Sequence, residues 1–336
     1  LKIKSKKYCS EQYFSQLTEL YDWFVNSHQA LQVYTSGSTG KPQLIEHSKE
    51  AVLASAKASV EYFDLDANSK ILLGIPLDKI GGIMLAIRAF IAEAEILPVD
   101  PQKNLFTDIP GDWTFDFCSM VPNQVAACEQ HWHRLGIILI GGGPIDQGLQ
   151  DLVYKKQGVS SFYQSYASTE TISHVAVRKL SPELDSDYQA LPGVSFSTNS
   201  TQALIIDAPH IGVKELVTKD QVELYSDRSF RWLGRLDNVV LSGGLKLYPE
   251  EIEGKINWPF PFFLSGREDQ VLSEKLVLVM QEKDFNPLLI TLINEMVSGP
   301  EKPKSFILIE EMLYTSTGKI KRQESLLKIK REISVN

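Results

Sequence analysis

YTSGSTGKPQ, residues Tyr34–Gln43, gathers four aliphatic hydroxyls, two glycines and a lysine into one short loop. Gly37 and Gly40 let the backbone approach an anion in conformations a side chain would forbid. Thr35, Ser36, Ser38 and Thr39 add hydrogen-bond donors, and Lys41 adds charge. A flexible Gly/Ser linker has the same composition, so the loop by itself leaves both readings open. The spacing of a Walker A loop cannot be laid on it, and Pro42 follows the lysine where Ser or Thr would stand. Phosphate handling outside the ordinary P-loop NTPases is the chemistry these residues suit.

Working outward, SKEAVLASAKASVEYF from Ser48 places Val52, Leu53, Ala56, Val60 and Phe63 on one helical stripe that stops at Asp64. Short apolar runs at 71–75, 115–121 and 137–140 are bounded by turns and read as buried strands. Helix-compatible segments lie between them, the alternation of an α/β domain with a largely parallel sheet. The strand IILI runs into Gly141, Gly142, Gly143 and Pro144, a bare backbone surface for a flat ring or simply a tight turn. From Ala203 to Trp232 the pattern becomes strand-rich, which predicts a small β subdomain. Pro249 then opens PEEIE as a helix start, KLVLVM and FILI read as strands, and KRQESLLKIKREI reads as a closing helix. This last stretch is a compact α+β unit of about 100 residues, domain-sized.

Composition sets bounds. The chain has 336 residues, 43% of them hydrophobic and 23% charged, which suits a globular protein with a large core and a smaller one. A net charge of -8 argues against a general nucleic-acid surface. After the basic start, CSEQYFSQL offers no apolar core for a signal peptide, and no window approaches about 18 uninterrupted apolar residues. Cys9, Cys118 and Cys128 form no C-x-x-C pair, which suits free thiols in a reducing compartment. His131 and His133, two apart beside Glu129, do not converge on a helix, so a solvated surface is expected there rather than a metal site.

Five motifs in order give the chain a family likeness. The loop at Tyr34–Gln43 resembles the phosphate loop of the adenylate-forming superfamily, with Gln43 where a lysine is usual. YASTE, Tyr166–Glu170, resembles the superfamily's YGxTE. Val217–Asp220 falls where its TGD stands, GRLDNVVLSGGLKLYPEEIE (Gly234–Glu253) resembles its hinge signature, and TSTGKIKR (Thr315–Arg322) resembles its terminal motif. The resemblance implies that Thr35, Ser36, Gly37, Ser38, Thr39, Gly40 and Lys41 hold the triphosphate, and that Gly142, Gly143 and Tyr166 hold adenine. It gives Thr169 to phosphate, Glu170 to magnesium, Asp220 and Arg235 to the ribose, and Asp237 to a hinge. Ser242, Gly243 and Gly244 would line a pantetheine channel, and Lys319 would enter the active site during adenylation. Ala167 for glycine and Lys219 for glycine depart from the pattern.

IEHS at 45–48, PLDKIGGIMLAIR at 76–88 and TETISHVAVRKL at 169–180 resemble the o-succinylbenzoate–CoA ligase branch, which serves menaquinone biosynthesis. In that likeness Arg88 meets the aromatic carboxylate of the acid, while Lys79, Ser165 and His174 line the pocket, with Lys79 replacing a histidine. A solvated or ion-paired helix position for Arg88, and a satisfied core position for His174, fit the residues too.

The implied fold is α/β. A large N-terminal domain, 1–236, would carry mainly parallel sheets flanked by helices plus the small β subdomain, its usual first subdomain largely missing. A small mobile α+β domain, 237–336, would carry the catalytic lysine. The implied activity is an ATP-dependent acid–CoA ligase using Mg2+ and coenzyme A, located in the cytoplasm, with no nucleic-acid partner and no integral membrane association. A ligase for another aryl or alkyl acid, or a nucleotide sensor that has lost turnover, are the alternatives.

Overall fold

The computed structural model describes residues 1–34, 44–143, 145, 147–156, 158–181, 187–315 and 320–335. Ser48 opens the helix Lys49–Tyr62, its side chain accepting from Ala51 N–H at 3.2 Å, a cap worth roughly 1 kcal/mol. Val52, Ala56 and Phe63 of the anticipated stripe are buried, with Ser55 and Ser59 buried among them. Asp64 at φ 52° turns the chain out of the helix. The helix Ile80–Ile91 is buried over most of its length and packs on Lys49–Tyr62. A helix that is apolar on nearly every face belongs inside the domain. Its first turn needs glycine at position 82, where a Cβ would lie 2.1 Å from the Pro76 carbonyl oxygen.

The expected strands are Lys70–Leu73, Phe115–Met120 and Leu135–Ile140. Among the described residues they belong to a 12-stranded mixed sheet. Its parallel half runs through Lys2–Ile3, Glu95–Pro98, Lys70–Leu73, Phe115–Met120, Leu135–Ile140 and Ser161–Ala167. These strands read as continuous apolar runs because both faces are covered. Ile71 and Leu73 join one core cluster while Leu72 joins the other, and Phe117 and Cys118 divide the same way.

From Ser161–Ala167 onward the pairing is antiparallel, through His174–Ser181, Tyr188–Ala190, Ser229–Arg235, Val213–Ser226, Ala203–Ala208 and Ser195–Thr198. The strand-rich stretch therefore extends the main sheet and is not a sheet of its own. Tyr188–Ala190 makes the join, with Gln189 opposite Val177 on one side and Ser229 on the other.

Beyond Asn238 a second sheet forms, ordered Leu245–Leu247, Val240–Ser242, Ser273–Gln281, Ser305–Ile309 and Ile329–Ser334, with Phe262–Asp269 also paired to Ser273–Gln281. The expected closing helix is confined to Arg322–Leu326. The chain then becomes a strand, with Ile333 opposite Phe306. Ser305–Ile309 is buried along its whole length, and pairing with the tail satisfies backbone groups that an edge would leave bare.

One ion pair staples this unit together. Arg322 donates from both terminal nitrogens to the two Glu253 carboxylate oxygens at 2.8 Å, and also to the Leu264 carbonyl at 2.9 Å. Burial raises the Glu253 carboxyl, and Arg322 together with the Leu264 N–H oppose that shift. Arg322 Nη2 also lies 3.4 Å from Glu250 Oε1, so removing the arginine alone leaves two carboxylates without it, whereas removing Glu253 as well leaves only Glu250, which keeps Asn238 as a donor. Arg322→Leu is expected to lower stability by about 3 kcal/mol in equilibrium urea unfolding. Glu253→Leu combined with Arg322→Leu is expected to lose clearly less than the single variant.

Candidate active site

Several of the expected site positions lie where parallel strands end. Leu135–Ile140 leads directly into Gly141–Gly143, and its neighbour Ser161–Ala167 ends at Tyr166 and Ala167 before the turn that carries Thr169 and Glu170. In open α/β sheets this carboxyl edge is where ligands bind. Gly142 sits at φ 80°, a conformation that favours glycine. Ser165 donates to the Ile140 carbonyl at 3.0 Å, and its Oγ would be 2.8 Å from a Cβ at Gly141. Its hydroxyl thus braces the glycine turn.

Tyr166 and Asp220 come together from different strands. The tyrosine hydroxyl donates to Asp220 Oδ2 at 2.6 Å, and Arg235 Nη1 lies 3.5 Å from Oδ1. Asp220 and Arg235 are direct partners across Val213–Ser226 and Ser229–Arg235, so the sheet register sets their meeting. The Tyr166 ring packs edge-on to Phe230 and Tyr188 at centroid distances of 5.1 and 5.6 Å. Burial first, then the Asp220 charge, raises the phenol well above its ordinary range, so it remains a donor. Each carboxylate oxygen of Asp220 still has a lone pair for a further donor.

Lys219 forms a 3.2 Å ion pair with Asp237, and Arg235 Nη2 stands 3.8 Å from the same carboxylate. The residue that departs from the family pattern therefore ties the strand to the segment expected as a hinge. Ser242, Gly243 and Gly244 form a two-residue hairpin turn, with φ of 58° and 83° at the glycines and Ser242 opposite Leu245. Such a turn requires both central residues at positive φ. Thr35–Lys41 and Lys319 lie outside the described residues.

Arg88 occupies the last turn of Ile80–Ile91 and is 2% exposed. It is not solvated. It donates to Ser173 Oγ and approaches His174 Nδ1 at 3.3 Å, while its Nε has no partner. Among the described residues no carboxylate pairs with it, and desolvation lowers the guanidinium to about 9, which leaves it charged at neutral pH. His174, 4% exposed, bonds Ser59 Oγ through Nε2 at 2.9 Å. Lys79 does not join this cluster. It stands at the other end of the helix, exposed, with its ammonium 3.1 Å from Asp78.

Sequence reasoning assigned no role to His47, Ser59 or Ser173. His47 ends the strand Leu44–His47 and is 8% exposed, its Nε2 buried without a partner, and the Thr169 backbone and the Glu170 charge both act on its imidazole, which places the strand after the glycine-rich loop beside the Thr169–Glu170 turn. The signal for Ser59 was a hydroxyl on an apolar helical stripe. His131 stacks on Phe106 at 4.8 Å, and among the described residues no cluster of metal-ligand side chains occurs. No helix of the described residues is long and apolar enough to cross a membrane.

Residues 7–217 match the family model described as AMP-binding enzyme. The 2-succinylbenzoate–CoA ligase of Listeria monocytogenes serotype 4b (strain F2365) is 24% identical over 89% of this chain and 70% of its own length. A solved structure of an acyl-CoA synthetase (AMP-forming)/AMP-acid ligase II-like protein from Dyadobacter fermentans DSM 18053 is 29% identical, covers 97% of both chains and superposes with a TM-score of 0.65. The O-succinylbenzoate Coenzyme A Synthetase (MenE) of Bacillus subtilis, in complex with ATP and magnesium ion, has the same fold at a TM-score of 0.73. It is 21% identical over 88% of this chain and 69% of its own.

The buried imidazole has a consequence for stability. Burial, then the Arg88 charge, holds His174 well below the ordinary histidine range. As pH falls below about 6.5 the unfolded chain takes up a proton there that the folded one refuses, so this contribution to stability is complete above that pH and shrinks beneath it. Burial lowers His47 in the same direction. Between about pH 7.5 and about pH 5.5, His174→Gln is expected to lose about 1 kcal/mol less stability than the wild type in urea titrations.

Proposed function

Because the chain belongs to the AMP-binding enzyme family, we propose that it is an ATP-dependent acid–CoA ligase whose acid is an aryl dicarboxylate of the o-succinylbenzoate type. The observation that carries the choice of acid is Arg88, a buried guanidinium without a carboxylate partner among the described residues. Burying an uncompensated cation costs several kcal/mol. A second carboxylate on the substrate offsets that cost by bonding the guanidinium, and a monocarboxylic acid has none to offer. The 2-succinylbenzoate–CoA ligases among its relatives support the same acid.

In this reading the carboxylate attacks the α-phosphorus of ATP and pyrophosphate leaves. The thiol of coenzyme A then attacks the acyl-adenylate carbonyl and AMP departs. Tyr166 supplies a ring wall for adenine beside Gly142 and Gly143, while Asp220 accepts from the ribose with Arg235 alongside. Glu170 is exposed in its turn, and Thr169 lies beside it. One or two carboxylates suffice to hold magnesium on a triphosphate, because phosphate oxygens and water complete the shell, so this donor set fits the ion. Magnesium neutralises phosphate charge when bound. Thr35–Lys41 hold the phosphates, and Lys319 offsets the repulsion between the carboxylate and the α-phosphate. The unit from 237 onward turns about Asp237 between half-reactions, presenting Lys319 in one and the Ser242–Gly244 turn in the other.

Two measurements test this. Pyrophosphate exchange into ATP should depend on o-succinylbenzoate, and Arg88→Ala should reduce kcat/KM for it by about 100-fold while affecting benzoate far less. Equal or better use of benzoate, octanoate or acetate by the wild type overturns the dicarboxylate assignment. ATP binding without any exchange favours the sensor reading. Lys319→Ala should slow adenylate formation by about 100-fold to about 1,000-fold, equivalent to roughly 3–4 kcal/mol, yet largely spare thioester formation from supplied acyl-adenylate. Equal loss in both half-reactions contradicts its role.

A further inference from the structure

We infer that Ser59 and His174 form a hydrogen-bonded relay that sets the aim of the Arg88 guanidinium, with Ser59 as a positioning residue for acid selection. The inference rests on the reading of Arg88 as the carboxylate-recognising group. The relay joins three elements. Ser59 comes from the helix Lys49–Tyr62, His174 opens the strand His174–Ser181, and Arg88 lies in the helix Ile80–Ile91. All three side chains are buried, at 0%, 4% and 2% exposure, so water does not compete for their hydrogen bonds.

Taking the Arg88–His174 contact as a hydrogen bond fixes the direction of the others. Arginine only donates, so His174 Nδ1, 3.3 Å from Arg88 Nη2, must be the acceptor. A neutral imidazole with an accepting Nδ1 carries its proton on Nε2, which therefore donates to Ser59 Oγ at 2.9 Å. Ser173 supports the same tautomer. Its hydroxyl accepts from Arg88 and stands 3.3 Å from His174 Nδ1, where it can donate its own proton. The Arg88 N–H and the Ser173 O–H share the single lone pair of Nδ1, and one acceptor waits at Nε2.

Without the Ser59 oxygen, Nε2–H has no partner, and burying an unpaired donor is costly. The imidazole then gains by moving its proton to Nδ1 and turning toward a carbonyl or hydroxyl. An Nδ1–H pointed at the guanidinium is repulsive, so Arg88 leaves its present position. Ser59 is one helix away from the arginine and is fully buried. Its loss therefore weakens recognition of the second carboxylate and leaves nucleotide binding alone.

The test compares Ser59→Ala, Arg88→Ala and wild type, using o-succinylbenzoate as the probe acid. Ser59→Ala should raise KM for o-succinylbenzoate about tenfold, with kcat and KM for ATP within about twofold of wild type. Nitrogen NMR of the His174 ring should show Nε2–H in the wild type and a growing Nδ1–H population in Ser59→Ala. An Nδ1–H ring in the wild type overturns the relay. So does an equal rise of both Michaelis constants in Ser59→Ala, the mark of a loosened fold, or an unchanged KM for the acid alongside a damaged Arg88→Ala. If Arg88→Ala itself leaves acid preference intact, the acid assignment fails instead, and the ring NMR still decides whether the tautomer is set by Ser59.

Discussion

A positive charge buried inside the domain, with no carboxylate beside it among the described residues, is the constraint on which the proposed acid recognition rests. Arg88 is carried on a helix that is otherwise apolar, and that helix is fixed by close contact at Gly82 and by packing on Lys49–Tyr62. Most of that helix is buried, and Arg88 itself is 2% exposed. Its environment supplies acceptors that are neutral, Ser173 and His174, which orient the group and leave its charge uncancelled. Low dielectric surroundings make such a charge a strong and selective attractor for an anion.

The residues proposed for the nucleotide are placed on a different principle. There the groups sit at strand ends and across strand pairs, so backbone register fixes their separation. Asp220 faces Arg235 because Val213–Ser226 and Ser229–Arg235 pair in that register, and Tyr166 reaches Asp220 because the antiparallel half of the sheet continues from the strand that carries it. A single continuous sheet thus joins the glycine turn after Ile140 to the carboxylate at 220. The C-terminal sheet is tied to this frame by Asp237 with Lys219, and by Arg231 with Glu251 at 3.4 Å. These are exposed or half-exposed pairs of the kind that contribute little to stability. Inside the C-terminal unit the Arg322–Glu253 staple is far better buried, so the unit is held within itself more firmly than these ion pairs hold it to the main sheet.

Much of this was legible in the chain. The helix after Ser48, the buried strands ending near Ile140, and the PEEIE helix follow from period, caps and apolar runs that act over a few residues, and they stand where the pattern put them. The motif order was legible too, since each motif is contiguous. Two readings failed for a common reason. The strand-rich stretch after Ala203 and the tail KRQESLLKIKREI have local patterns compatible with more than one partner, and only the available edge decides. Tyr188–Ala190 gives the first a place in the main sheet, and Ser305–Ile309 draws the second into a strand.

Contiguous sequence determined the glycines that turns demand, and it offered the candidates proposed for phosphate, ribose and acid. Ser59 lies on the apolar stripe of its helix, and nothing in that local pattern says what it would touch. Tertiary structure alone decided that Arg88 is buried rather than solvated, that Lys79 stands apart from it, and that Ser59, His174 and Arg88, from three separate elements, share one line of hydrogen bonds. The physical reason is range. Propensity and periodicity are read within a few residues, whereas burial and the direction of a proton depend on whatever the fold brings alongside.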